Sequence, residues 1–148
     1  MSGLLVDTSV WSLAYRRDVP PGAPEVEALR SALLGGEEVA VTGMILLELL
    51  RGFVPDAARQ RIVADLAHVQ LLEPTRDDYA AAADLATTCR RSGVQIGSVD
   101  ALIAQLAIAH DCTLLSTDAD FAHAARVIPL RLWFREPPVA TVHQAGAP

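Results

Sequence analysis

Lysine is missing from this 148-residue chain: all twelve basic residues are arginine. That absence excludes chemistry. Receiver domains and haloacid-dehalogenase-like phosphatases set an Asp at a strand end but work with a Lys, and a P-loop needs its Gly-Lys pair. Cysteine is almost as scarce. Cys89 and Cys112 have neither metal-type nor redox-type spacing, so two reduced, buried thiols are expected. His68, His110, His123 and His143 share no spacing, which leaves surface or helix-end roles and no His-based general acid. In a chain this poor in aromatics, Trp11, Trp133 and Phe134 read as core or subunit-interface residues before they read as platforms for bases. No apolar run approaches the ~20 residues of a membrane span. The N-terminus also lacks a basic flank and signal-type apolar core, so a cytoplasmic protein without membrane contact is expected. The formal charge of -6 argues against a protein that coats nucleic acid by electrostatics alone.

What is present is a chain about half apolar, sufficient for one domain with a proper core. Leu4 to Val6 reads as a buried strand running into Asp7-Thr8-Ser9 and a helix near Val10 to Arg16. Residues 18–24 form a Pro-rich loop, a helix follows to Leu34 and stops at Gly35-Gly36, and Val39 to Val41 is a second strand. Thr42 caps a helix to about Phe53, Asp56 opens one to about His68, and Val69 to Leu72 is a third strand. Thr75 and Asp78 form a capping-box pattern before a long alanine-rich helix ending near Ser92-Gly93. Ser98 caps the next helix, whose Val99, Leu102, Ile103 and Leu106 form a core-facing stripe. Thr113 to Leu115 is a fourth strand, Phe121 to Ala125 a short helix, and Val127 to Leu130 a fifth strand. Alternating strands and helices imply an α/β fold with a central parallel sheet of about five strands and helices on both faces. The domain spans residues 1–135, and 136–148 form an extended or disordered tail.

Five carboxylates stand where apolar segments end or should carry no charge: Asp7, Glu48, Asp100, Asp118 and Asp120. An ionised carboxylate withdrawn from water costs several kcal/mol without compensation, and each converging pair repels by about 4 kcal/mol at a surface-like dielectric. Each has a local explanation. Asp7 could cap a helix, Glu48 could pair with Arg51 one turn on, Asp100 could meet a helix dipole, and Asp118 and Asp120 could make a turn. Gly52, four residues after Glu48, would let another element approach that side of the helix. Four such explanations holding independently at the carboxyl side of one sheet is the harder case, because that is where open sheets bind ligands. Thr8, Ser9, Ser116 and Thr117 flank the same points and could hold water or phosphate, though capping also accounts for them. All-oxygen ligation suits Mg2+ or Mn2+.

DTSVW near the start, the Glu of LLELLRG, the Asp of SVDALIAQLAIAH and LLSTDADF together resemble the PIN-domain ribonucleases, and most of all the VapC-type toxins of toxin–antitoxin pairs. The motifs fall in family order over residues 4–130. The resemblance implies a Rossmann-like sheet, an RNA substrate, and a metal site of Asp7, Glu48, Asp100 and Asp118, with Asp120 a fifth member ranked last. It also implies a VapB-type antitoxin partner and pairing of the chain with itself. Arg16, Arg17, Arg90 and Arg91 are candidates for RNA backbone contact, with solvated charge the equal alternative. Two rival readings differ in class. One is a PIN-like module that binds RNA or protein without cutting. The other is a Mg2+-dependent phosphatase with Asp7 as nucleophile, for which position 9 holds Ser instead of a second Asp.

Overall fold

A computed structural model of the chain describes residues 3–16, 22–52 and 55–134. Its strands are the short apolar runs: β1 (Leu4–Val6), β2 (Val39–Thr42), β3 (Gln70–Leu72) and β4 (Thr113–Leu115). Every pair is parallel, in the order β3-β2-β1-β4. Parallel strands need crossovers, and the helices supply them. After β1 come α1 (Thr8–Tyr15) and α2 (Pro24–Leu34); after β2 come α3 (Gly43–Gly52) and α4 (Asp56–Leu66). After β3 come α5 (Arg76–Arg91) and α6 (Ser98–Ala109), and α7 (Ala119–Ala124) follows β4. The chain therefore steps outward from β1 through β2 to β3, then returns to the other side of β1. A reversal of that kind opens a crevice at the carboxyl ends of the two strands beside it, here β1 and β4.

The core is built from these strands and the helix faces over them. Leu5, Val6, Ile45, Leu49, Ile62, Leu114 and Phe121 are among its buried members. Trp11 is buried as well, its indole N–H donating to the Val6 carbonyl at 3.1 Å. Cys89 and Cys112 are free and buried, and burial pushes both thiols up, away from thiolate chemistry. The caps read from the sequence form at two helices. Thr42 Oγ1 accepts from the Ile45 amide, and Thr75 and Asp78 exchange the two hydrogen bonds of a capping box.

Two expectations need correction. Among the described residues the sheet has four strands, not five. Residues 127–130 do not pair, because Pro129 has no N–H and Leu130 N turns back to the Ile128 carbonyl at 2.8 Å. The chain reaches β4 only at Leu132, where Leu114 N donates to Arg131 O and Trp133 N to Leu114 O, one bridge in length. Ser98 is not the cap of α6 either. Gly97 holds that place in an extended conformation, and its carbonyl accepts from Ala101 N at 2.9 Å. Residues 136–148, read as a tail, lie outside the described residues, as do Arg17, most of the Pro-rich loop, Phe53 and His143. Among the described residues no helix is long and apolar enough to cross a membrane.

The helix that carries Asp100 is buried mainly through alanine. Ala101, Ala104 and Ala107 sit in the core with Ile103 and Leu106, while Val99 and Leu102 are only half-buried. Small side chains let α6 lie close to α5 and to the sheet. Ala104→Leu should therefore destabilise the fold by about 1 to 3 kcal/mol through overpacking. A urea unfolding curve would read this as a lower midpoint at unchanged slope; an unshifted midpoint would mean that the helix has room to spare.

Candidate active site

The register of β1 and β4 builds the first part of the site. Val6 is paired with Leu115, so the next residues, Asp7 and Ser116, leave the sheet side by side. Asp7 is only 7 % exposed, and a carboxyl so far out of water requires hydrogen-bond donors. Two hydroxyls supply them: Ser9 Oγ and Ser116 Oγ donate to Asp7 Oδ2 at 2.9 and 2.8 Å. These hydroxyls accept in turn from the backbone, Ser9 from Thr117 N and Ser116 from Asp118 N, at 3.1 and 3.0 Å. The exit of β4 is thereby fastened around Asp7. Asp7 also occupies the N-cap position of α1, but its side chain makes no cap hydrogen bond. Capping thus explains its place and not the direction of its carboxylate.

The other carboxylates come from helix starts. Asp100 is half-buried in the first turn of α6. Asp118 caps α7, its Oδ1 accepting from Asp120 N at 2.9 Å, which draws Asp120 into the same turn. One oxygen from each of Asp100, Asp118 and Asp120 lies within 4.8 Å of the others. Asp7 and Glu48 do not join all three at that spacing, yet both act on the cluster. The Asp100 carboxyl is pushed up to about 6, first by burial and then by the negative charges of Asp7, Asp118, Glu48 and Asp120. All five carboxylates therefore share one electrostatic neighbourhood. Asp120, ranked last from sequence, stands in its tightest part.

No ion pair among the described residues relieves this cluster. Their ion pairs are Arg61 with Asp65 and Arg131 with Asp111, neither involving a site carboxylate. The pairing of Glu48 with Arg51 allowed by the sequence is not made. The room beside Gly52 is likewise unused, since a Cβ there would meet nothing within 4 Å among the described residues. An oxygen-only donor set with mutual repulsion and no protein counter-charge fits a hard divalent cation, which takes carboxylates and keeps several waters. Asp118 and Asp120 are exposed, so the cluster is open to a large substrate. The hydroxyls were visible in the sequence, but only the strand register shows that Ser9 and Ser116 converge on a single oxygen of Asp7.

Comparison with known proteins agrees with this architecture. The PIN domain family model matches residues 4–127. Ribonuclease VapC11 of Mycobacterium tuberculosis is 33% identical over 132 residues, covering 86% of this chain and 96% of that protein. Among solved structures, VapBC2 from Rickettsia felis, bound to a DNA fragment from its promoter, superposes with a TM-score of 0.72 at 19% identity, covering 90% of this chain and 98% of that one. VapC20 of Mycobacterium tuberculosis, a Sarcin-Ricin loop cleaving toxin, gives 0.62 at 20% identity, covering 87% of this chain and 99% of that one. At these identities the two structures show likeness of fold.

The charge cluster has a consequence for stability. A carboxyl whose folded value lies above its ordinary one favours the fold when protonated; its contribution is complete below pH ~4 and is lost as pH rises through about 6. The metal-free protein should thus melt at a higher temperature at pH 5 than at pH 7, and the difference should shrink in Asp100→Asn. Calorimetric melts of both proteins would check this. Equal pH dependence in the two would show that Asp100 carries no such strain.

Proposed function

The chain belongs to the PIN-domain family, and on that footing we propose that it is a Mg2+- or Mn2+-dependent ribonuclease, the toxin of a type II toxin–antitoxin pair. The observation that carries this reading is the convergence of five carboxylates, three of them within 4.8 Å, with no ion pair to any of them among the described residues. Kinship at 33% identity with a ribonuclease over nearly its full length supplies the substrate class. The nuclease domain is taken to span residues 1–135 and to act in the cytoplasm, where its RNA is.

In this reading Asp100, Asp118 and Asp120 hold the metal, with Asp7 and Glu48 ligating it or orienting its water. The bound cation would lower the pKa of a water, orient the scissile phosphodiester and offset the charge that gathers on phosphorus. The chain's own residues supply the rest. Ser9 and Ser116 fix the Asp7 carboxylate through Oδ2 and leave Oδ1 without a partner among the described residues, available to a ligand. Fixing a ligating carboxylate in this way is the task of outer hydrogen-bond partners at metal sites. Glu48 bears on the cluster from α3, a different element from the aspartates, and would orient the water there. Asp118, the cap of α7, is held in place by its bond from Asp120 N, which ties the two acids into one turn.

A VapB-type antitoxin partner belongs to the same proposal, supported by solved neighbours of this fold that are complexes named VapBC. An arginine inserted among unpaired carboxylates would compete with the metal, giving inhibition a simple physical basis. Self-pairing of the chain is carried over with the antitoxin.

Asp100→Asn should reduce Mg2+-dependent RNA cleavage by at least about a hundredfold with the fold intact. Ser116→Ala, which removes a hydrogen bond and no ligand, should cost about tenfold. Gel assays on total bacterial RNA, with circular dichroism of each variant, make the measurement. Cleavage by Asp100→Asn at the wild-type rate would overturn the metal-site reading, and a wild-type protein that binds RNA without cutting would favour the interaction module.

A further inference from the structure

The candidate active site explains how a phosphodiester would be cut but not how RNA is held beside so much negative charge. We propose that the crevice between the end of α5 and α7 is a subsite for an RNA phosphate and its nucleotide, next to the bond that is cut; this rests on the ribonuclease reading above. The crevice holds about 380 Å³, and its walls include Ser92, Val94, Gln95, Asp120, His123 and Arg126. Asp120 also belongs to the 4.8 Å trio, so the crevice opens directly beside the cluster. Its volume falls in the range of small-ligand pockets.

The chemistry of its walls suits a nucleotide. Arg126 is exposed and has no ion pair among the described residues, even with Asp120 in the same crevice. A free guanidinium beside an acidic centre is a phosphate clamp, with five donors in a fixed fork. His123 can donate from a ring N–H in either protonation state, and Ser92 and Gln95 offer hydroxyl and amide groups to ribose and base edges. Other crevices contrast with it. Those between α1 and α2, beside β3 and along α5 and α6 are lined mainly by apolar side chains and touch none of the five carboxylates.

Both walls are preformed. Gly93 takes a left-handed φ of 77°, and Gly93 N and Val94 N bond back to Arg90 O and Cys89 O at 3.0 and 2.8 Å. On the other side Ala125 N bonds to Phe121 O and Val127 N to Ala124 O, at 2.9 and 3.0 Å. Binding there needs little ordering of backbone, which keeps its entropic cost low.

The test follows cleavage of deproteinised total bacterial RNA in Mn2+, at the strongest site mapped by end sequencing, in single turnover over a range of protein and salt concentrations. Wild type, Arg126→Gln, Arg126→Lys and His123→Gln are compared after thermal melts establish that each is folded. The subsite predicts that Arg126→Gln raises the half-saturating protein concentration about fivefold with the maximal rate unchanged. The salt dependence of half-saturation should fall by about one power, and Arg126→Lys should keep it. Half-saturation and salt dependence unchanged in Arg126→Gln, while wild type cleaves, would overturn the subsite and leave the ribonuclease reading intact. A lowered maximal rate at unchanged half-saturation would also overturn it, placing Arg126 in the reaction instead of in binding. Wild type that cuts no RNA would remove both.

Discussion

Parallel pairing of β1 with β4 is the interaction on which the site depends. Among the described residues it joins the first strand to the last and brings residues more than a hundred positions apart into one hydrogen-bonded group. With Val6 opposite Leu115, Asp7 and Ser116 have no choice but to emerge together. A register shifted by one residue would turn Ser116 to the other face of the sheet, because strand side chains alternate. The Asp7 N to Leu115 O bond, 2.9 Å long, continues the ladder into the site itself. The geometry of the candidate site is in this sense an extension of the sheet.

Against that order stands the repulsion of the acids it assembles. Asp7 is relieved by two hydroxyls, and Asp118 and Asp120 by exposure to water. Asp100 receives neither form of relief. It is half-buried, accepts no hydrogen bond among the described residues, and stands within the field of the other four, which is why its carboxyl holds a proton up to about 6. The alanines of α6 let a charged first turn lie close to the strand ends, so good packing and poor electrostatics come from the same residues. Proteins tolerate local conflicts of this kind where a ligand resolves them.

Much of this was legible in the amino-acid sequence, for physical reasons. Short buried strands declare themselves as apolar runs bounded by caps, and LLV, VAVT and TLL formed where such runs predict strands. Asp7 and Asp118 could be assigned to strand exits because each directly follows such a run or its hydroxyl-rich end. What escaped depends on three dimensions. Ile128 and Leu130 are buried like strand residues, but Pro129 between them prevents pairing, and local apolarity does not register a missing donor. Of the predicted α6 stripe, Ile103 and Leu106 are buried as their spacing requires, whereas Val99 and Leu102 are only half-buried and Ala101, Ala104 and Ala107 fill the core beside them. Asp120 stands last in the sequence reading, as a fifth member beside the four acids that the resemblance implies. Its closeness to Asp100 arises only when α7 and α6 are brought to the same end of the sheet.

The central claim is that the five carboxylates form one metal centre whose internal repulsion a divalent cation relieves. Calorimetric titration of Mn2+ into the metal-free protein at pH 5, 6 and 7 tests it most directly. The account predicts saturable binding below millimolar concentration, tightening as pH rises, with a proton released near pH 6 as the metal displaces it from Asp100. Absence of saturable binding at millimolar Mn2+ would contradict it, as would an affinity that does not change with pH.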